Sequence, residues 1–349
     1  MRSVYVSNKN EPKYVYLYKE ENAIITNDKF DKFWKTDLVK PRFEHLRETK
    51  ISLFNYHPVS LENIDMAVYS LNNTPNKLKN TTVDFFPDLL RKASHKFPLF
   101  PRLDDRGNSG FYDFLEDNYL LENLKFVDLG NISISNDLDQ LYLIVENISK
   151  KDLKFLTIGG DHAITFYNLN AINKIGNKRP ILIQLDAHQD VGKHELNNEK
   201  LHQGNFISHL LENNIVTHVI QVGIRGIRSR NQVINSEKIT VLNSLEWDKL
   251  NAGFIKNILD YYDNYDIYLS IDMDVLDPSE FAFVDFPVKL GLRTDQLISI
   301  LKRIFGSKAN IIGADIVEVN ANGNIDNNDY DLVIYILIHL MNQFTIQKE

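Results

Sequence analysis

Four short apolar runs constrain the fold of this chain more than any other feature: residues 154–158 (KFLTI), 181–185 (ILIQL), 219–222 (VIQV) and 267–271 (IYLSI). Each is rich in β-branched or aromatic residues and nearly unbroken in apolarity. A strand with one wet face alternates apolar and polar side chains, whereas a strand buried on both faces of a parallel sheet has no such need. Residues 311–317 (IIGADIV) read as a fifth strand despite Gly313 and Asp315, and residues 66–71 as another. Helical stretches fall between the runs at 163–175, 205–213, 254–262 and 294–305. The segment 87–95 opens with Pro87, a residue suited to a first helical turn. Strands and helices alternating at this scale predict an α/β fold, a doubly wound and mostly parallel sheet flanked by helices.

The chain of 349 residues is long enough for one large domain or two small ones, and its 43% hydrophobic and 25% charged residues are ordinary for a buried core. Residues 1–55 carry short alternating stretches at 14–18 and 23–26 and read as an N-terminal extension or small lobe; residues 56–349 read as the α/β domain. A net charge of −8 argues against a general nucleic-acid surface, which needs cations to neutralise phosphates. Without cysteine there is no disulfide, thiolate nucleophile or thiolate metal site, which fits a cytoplasmic protein. The first residues, MRSVYVSNKNEPKY, lack the apolar stretch of a secretion signal. The longest apolar run, 332–340, is about half of what a bilayer span needs and contains His339, so it reads as a buried helix and no membrane segment is expected. The Asn-rich stretch 320–328 reads as the turn before that helix.

Charged and polar residues gather at the ends of the predicted strands. TIGGDH ends in Asp161 and His162, LDAHQD supplies Asp186, His188 and Asp190, and SIDMDVLDP supplies Asp272, Asp274 and Asp277. In open α/β sheets the carboxyl edge of the strands is where ligands bind. In extended chain, residues two apart point the same way, so Asp186, His188 and Asp190 can converge, as can Asp272 and Asp274. So many neighbouring acids raise one another's pKa, and a bound cation removes the conflict. Carboxylates with a few imidazoles and no thiolate suit a hard or borderline ion such as Mn²⁺, and six candidate ligands point to two ions sharing carboxylates. Each string alone has an ordinary reading: a Gly-Gly turn, a solvated loop, an Asx cap before Asp-Pro. Three of them in order, each at a strand end, outweigh that reading.

GGDH, DAHQD and SIDMDVLDP resemble the three metal-binding signatures of the ureohydrolase superfamily, which comprises arginases, agmatinases, guanidinobutyrases and formiminoglutamases. VGIRG at 222–226 resembles the family's strand-end I-G-I-R element, and DIVEVN at 315–320 resembles the stretch whose glutamate contacts the substrate guanidinium. The likeness runs from about Met66 to the C-terminus and is densest between Ile158 and Asn320, with Phe86–Arg91 and Val127–Gly130 only faintly similar. It implies an arginase-like three-layer fold, commonly assembled as a trimer or hexamer. It implies two Mn²⁺ ions, with Ni²⁺, Fe²⁺ or Co²⁺ as alternatives. Asp186 and Asp272 would bridge the ions, His162 and Asp190 would complete one coordination sphere, and His188 and Asp274 the other. Glu318 would pair with the substrate's planar cation, and Asp190 would orient the attacking hydroxide. The reaction implied is hydrolysis of a guanidino carbon–nitrogen bond to urea and an amine.

The family's proton-shuttle histidine precedes a glycine, and here the loop reads Leu201-His202-Gln203-Gly204-Asn205-Phe206. Either His202 is its counterpart, displaced by one residue, or Gln203 stands there and cannot shuttle protons; imidazole suits the task and favours His202. His194 and His209 are weaker candidates, and Asn205 joins the candidate substrate contacts. Where several arginases have an acid that holds the α-amino group of free arginine, this chain has Arg228. That reversal of sign implies a guanidino acid or a peptidyl arginine rather than free L-arginine. The family's A-P-G-T run after Asp-Pro is replaced by Phe281-Ala-Phe-Val-Asp-Phe-Pro287, which implies a reshaped pocket mouth. Other readings are a formimino hydrolase, a single-zinc deacetylase-like hydrolase, and a regulator that keeps the cage without turnover.

Overall fold

The predicted runs line up side by side in one sheet. The computed structural model describes residues 4–6, 14–16, 52–56, 64–77, 82–97, 110–122, 124–192, 199–227, 237–246, 254–320 and 327–347. Its strands, in chain order, are β1 Val4–Val6, β2 Tyr14–Tyr16, β3 Met66–Asn72, β4 Phe111–Asp113, β5 Asn118–Leu120, β6 Phe126–Ser133, β7 Lys154–Gly159, β8 Ile181–Leu185, β9 His218–Ile224, β10 Ile239–Asn243, β11 Asp266–Asp272 and β12 Asn310–Val317. The helices are α1 Phe86–Ser94, α2 Ile134–Lys150, α3 Ala163–Gly176, α4 Phe206–Glu212, α5 Phe254–Tyr261, α6 Thr294–Phe305 and α7 Asn327–Ile346.

Eight strands form the sheet in the order β10-β9-β8-β11-β12-β7-β3-β6, and every neighbouring pair is parallel. β8 is buried along its whole length and β7 and β11 in all but their first residue, which explains their unbroken apolarity. Successive residues serve opposite faces. Leu156, Ile183 and Leu269 join the core under α1, α6 and α7, while their neighbours Phe155, Leu182 and Tyr268 join the core under α2, α3 and α4. The run expected as a buried helix lies within α7, where Val333, Ile334, Ile336, Leu337 and Leu340 are buried. Among the described residues no helix is long and apolar enough to cross a membrane.

Topology places a crevice at the carboxyl edge. β8 continues to its neighbour β9 on one side, whereas β11, paired with β8, continues to β12 on the other. The loops leaving β8 and β11 therefore diverge, as at the switch point where open α/β sheets bind ligands.

Some elements were not legible as such. β6 is broken in apolarity by Asp128 and Asn131, and the fold shows what they serve. The buried guanidinium of Arg91 on α1 donates to both oxygens of Asp128 at 2.8 Å and to Asn131 Oδ1 at 2.6 Å. A buried cation needs such partners. β10 is an edge strand with exposed Val241 and Asn243. The period of α2 is interrupted near its start, where Asp137 has a non-helical φ of −133°. At the N-terminus β1 pairs antiparallel with β2, and the stretch 23–26 lies outside the described residues. Leu53 and Phe54 are already part of the core.

Candidate metal centre

The ends of β7, β8 and β11 deliver their polar residues to one point. Asp186 follows β8 directly, and its N–H donates to Val222 O of β9 at 2.9 Å. That approach depends on Gly223 (φ +103°), where a Cβ would lie 2.9 Å from Asp186 O and 2.7 Å from a Val275 methyl. His162 enters α3 behind Gly159, where a Cβ would stand 2.6 Å from both Ile164 and Val317. Asp272 ends β11, and its Oδ1 accepts the N–H of Asp274 at 2.8 Å, which closes the short 3₁₀ turn Met273–Val275.

Around His162 Nδ1 stand three carboxylate oxygens: Asp190 Oδ2 at 3.1 Å, Asp186 Oδ2 at 3.2 Å and Asp272 Oδ2 at 3.2 Å. His188 Nδ1 lies 2.7 Å from Asp274 Oδ2 and 3.6 Å from Asp186 Oδ1. Two ligand sets result, His162–Asp186–Asp272 and Asp186–His188–Asp274, with Asp186 common to both. Asp190 attaches to the first through its contact with His162.

Charge in this knot is unbalanced without a cation. Burial, together with Asp190, Asp274 and Asp272, holds the Asp186 carboxyl well above its usual pKa; burial and Asp274 do the same to Asp272. The carboxylates overcome the effect of burial on the histidines, lifting His162 well up and His188 to about 9. Asp274, although buried, is held low by His188. Protons do here what a metal does better. His162 Nδ1 is buried and has no hydrogen-bond partner, although three carboxylate oxygens surround it. Cis ligands of an octahedral ion held about 2.1 Å away stand roughly 3 Å apart, matching the 3.1–3.2 Å observed around Nδ1. An oxygen-rich donor set with two imidazoles suits a hard or borderline divalent ion. The residues fit a pair of cations.

Glu318 lies beyond the end of β12 with φ +62°, a backbone few non-glycine residues adopt and one that gathers at functional sites. Its N–H donates to Gly160 O at 3.0 Å, and its Oε1 accepts the N–H of His162 at 2.8 Å. Oε2 is buried without a hydrogen-bond partner. Burial and the nearby Asp161 push this carboxyl well above its usual pKa. A cavity of about 750 Å³ opens over the cluster, walled by His162, His188, Asp190, Asp272, Asp274, Glu318, Glu199, His202, Gln203, Arg225, Asp285 and Phe286, among others.

The remaining predicted residues divide. His202 lines the cavity, its Nδ1 accepting the N–H of Gly204 at 3.1 Å, and Gln203 lines it too. Asn205, expected as a substrate contact, instead shapes the loop: its Oδ1 accepts the N–H of His202 at 2.8 Å and its Nδ2 donates to Lys200 O at 3.1 Å. It is fully buried and absent from the cavity wall among the described residues. Arg228 and His194 lie outside the described residues. His209 is on α4 beside Phe166. Asp161 accepts the N–H of Ala163 at 3.1 Å in the turn that leads into α3, and Asp277 accepts from Ser279 in an exposed turn. Of the three aromatics at 281–287, Phe281 and Phe283 pack together, while Phe286 reaches the cavity with its ring 6.3 Å from that of His188.

Residues that sequence reasoning passed over sit behind the cage. Gln184 Nε2 donates to Asp186 Oδ2 at 2.6 Å, and Gln221 Nε2 donates to Gln184 Oε1 at 2.7 Å. The signal was present: each is the polar interruption of an apolar strand, and the two face each other in the β8–β9 register.

Comparison with known proteins agrees with this geometry. The model of the arginase family matches residues 73–341. An agmatinase of Proteus mirabilis is 32% identical over 206 residues, covering 57% of this chain and 64% of that protein. A guanidinobutyrase of Pseudomonas aeruginosa is 29% identical, again over 57% and 64%. The chain thus spans just under two thirds of the length of these relatives. A crystal structure of a hypothetical agmatinase from Burkholderia thailandensis superposes with a TM-score of 0.68 at 23% identity, covering 85% of this chain and 91% of that one.

Proposed function

The chain belongs to the arginase family, and from that premise we propose that it hydrolyses a guanidino carbon–nitrogen bond, giving urea and an amine. The observation that carries the reading is the buried, unpartnered Oε2 of Glu318 on the wall of a cavity that also contains the acid–histidine cage. A guanidinium offers parallel N–H donors to such a carboxylate.

His162, Asp186, Asp190, Asp272, His188 and Asp274 would hold two divalent ions, manganese by preference, Asp186 belonging to both sets. When bound, such a pair supplies Lewis acidity that makes water a nucleophile near neutral pH. Glu318 holds the guanidinium with its central carbon towards the cage. Asp190 accepts a hydrogen bond from the attacking water and sets its direction. As the carbon–nitrogen bond breaks, the proton given up by the attacking water is relayed to the leaving amine by the imidazole of His202.

The far end of the substrate meets Asp285, Glu199 and the ring of Phe286. Arg225 also lines the cavity, but its guanidinium is engaged by the carbonyls of Gly223, Asp274, Leu276 and Val288. This wall supports a neutral or cationic far end, as in a guanidino amine or a peptidyl arginine, over a guanidino acid. The same proposal includes a catalytic domain over 56–349 with residues 1–55 as an extension, and a homo-oligomer, both resting on the resemblance. The test is urea release with Mn²⁺ from arginine, agmatine, guanidinobutyrate and an arginyl peptide, with formiminoglutamate assayed for formamide release. Turnover of one guanidino compound well above the rest is expected; no urea from any of them would sink the reading.

A further inference from the structure

On the side of His162 away from the carboxylates, Nε2 lies 2.8 Å from Ser270 Oγ, and Ser270 Oγ donates to Asp315 Oδ1 at 2.6 Å. We propose that Asp315, acting through Ser270, is a positioning residue that locks His162 into the tautomer with hydrogen on Nε2 and thereby sets the metal affinity of the His162 site. The inference rests on the binuclear-cation reading and extends it to residues that touch neither ion nor substrate.

The hydrogen count makes the case. Asp315 is fully buried on β12, opposite Ser270 of β11 and Thr157 of β7. Besides Ser270, it accepts from Thr165 Oγ1 at 2.8 Å and Tyr268 OH at 2.7 Å, both on Oδ2. The hydroxyl of Tyr268 in turn receives Asn168 Nδ2 at 2.8 Å, so its own hydrogen is directed to Asp315. Three hydroxyl donors favour the ionised, acceptor-only form of Asp315 against the burial that raises its pKa. Ser270 has one hydrogen, and Asp315 takes it. The serine oxygen can then only accept from His162, so Nε2 must be the donor. Thr165 Oγ1, 3.1 Å from Ser270 Oγ, has its own hydrogen on Asp315 and so offers none to the serine oxygen. A neutral imidazole with hydrogen on Nε2 presents its lone pair at Nδ1, towards the oxygens of Asp186, Asp190 and Asp272. Without a metal, a proton on Nδ1 joins those four acceptors and makes the ring an imidazolium; a bound cation would take that proton's place.

Charge agrees with the count. None of the hydrogen bonds to Asp315 comes from a charged group, and an isolated buried carboxylate is costly. Its counter-charge lies two bonds along the relay, beyond His162. Outer partners of this kind fix ring orientation and raise ligand basicity, and their loss typically costs about 10–100-fold in metal affinity.

The test is titration of the chelator-stripped full chain with Mn²⁺ alone, against a competing fluorescent chelator. The wild type is expected to show two sites. In Asp315→Asn one site should weaken about 10–100-fold and the other stay within about twofold. Ser270→Ala should weaken the same site, and the double variant should be no worse than the poorer single one, because both act through one hydrogen bond. The melting temperature of metal-free Asp315→Asn should be unchanged or higher, since a buried charge is removed; a purely structural role would lower it. If Asp315→Asn does not fold, Ser270→Ala alone decides. Unchanged affinities in variants of a wild type that binds two ions overturn the relay only. A wild type that binds none overturns the metal reading and the relay with it.

Discussion

The carboxylate of Glu318 accepts the backbone N–H of His162 at 2.8 Å. The group assigned to hold the substrate is thereby tied to a residue assigned to hold a metal. This bond spans from the end of β12 to the start of α3, and the left-handed backbone of Glu318 brings it about. One oxygen is fixed by it, and the other is buried without a hydrogen-bond partner in a residue that lines the cavity.

Glu318→Gln should separate substrate binding from metal binding. The amide oxygen keeps the bond to His162, while the charge facing the guanidinium is lost. Removing one partner of a buried charge pair costs about 2–5 kcal/mol, so kcat/KM should fall by about 30-fold or more. Metal content, measured by elemental analysis, should stay at the wild-type value. A variant with unchanged kcat/KM would remove Glu318 from the substrate site.

The metal-free protein should lose stability as pH rises. His162 and His188 have folded pKa values above the unfolded 6.5, the latter about 9, so their contribution is complete below 6.5 and lost on the way to about 9. Asp186, Asp272 and Glu318 are also raised, so in the folded state they keep protons that the unfolded chain releases near pH 4, and they act in the same direction. Asp274, held low, contributes nothing that changes above pH 5. Thermal melts of chelated protein from pH 6.5 to 9 should fall by several degrees. With Mn²⁺ the slope should flatten or reverse, because metal binding releases these protons. A rising melting temperature without metal would contradict the assignment.

His202→Ala should reduce kcat by about 10²–10³-fold with little change in KM, and added imidazole should restore part of the loss. Gln203→Ala, on the same wall, should be far milder. Equal losses in the two variants would point to loop structure rather than proton transfer.

Asp285→Asn should raise KM for an amine-ended guanidine several-fold and leave an alkylguanidine with an uncharged far end unaffected, because only the former has a second charge to meet that carboxylate. Steady-state kinetics on the two substrates decides it. A matching change for both would mean that Asp285 only supports Asn320, whose Nδ2 it accepts.

How much of this was legible in the sequence follows from which forces act locally. The strands 154–158, 181–185 and 267–271 were readable because double burial demands continuous apolarity. The candidate ligands Asp186, His188 and Asp190 were readable from their two-residue spacing, although they converge in the bend after β8, with Asp190 at φ +50°, and not in the extended chain that the spacing suggested. What was hidden depends on contacts between distant segments. Asp128 breaks the pattern of β6 for the sake of Arg91, and Asp315 interrupts β12 for the sake of Ser270. No local rule assigns such polar residues to partners. The positive φ of Glu318 and Asp190 likewise comes from tertiary constraint, since neither position carries glycine. Asp161 shows the converse, standing inside a metal-like string yet accepting from Thr74 and from the N–H of Ala163 in the turn before α3.

Counting metal tests the central claim most directly. After dialysis with Mn²⁺ and removal of loosely bound ions, elemental analysis of the wild type should give two ions per chain. Asp186, whose Oδ2 faces His162 at 3.2 Å and whose Oδ1 faces His188 at 3.6 Å, belongs to both sets. Asp186→Ala should therefore lose both ions and urea release together. Two ions retained in Asp186→Ala, or none in the wild type, would contradict the account.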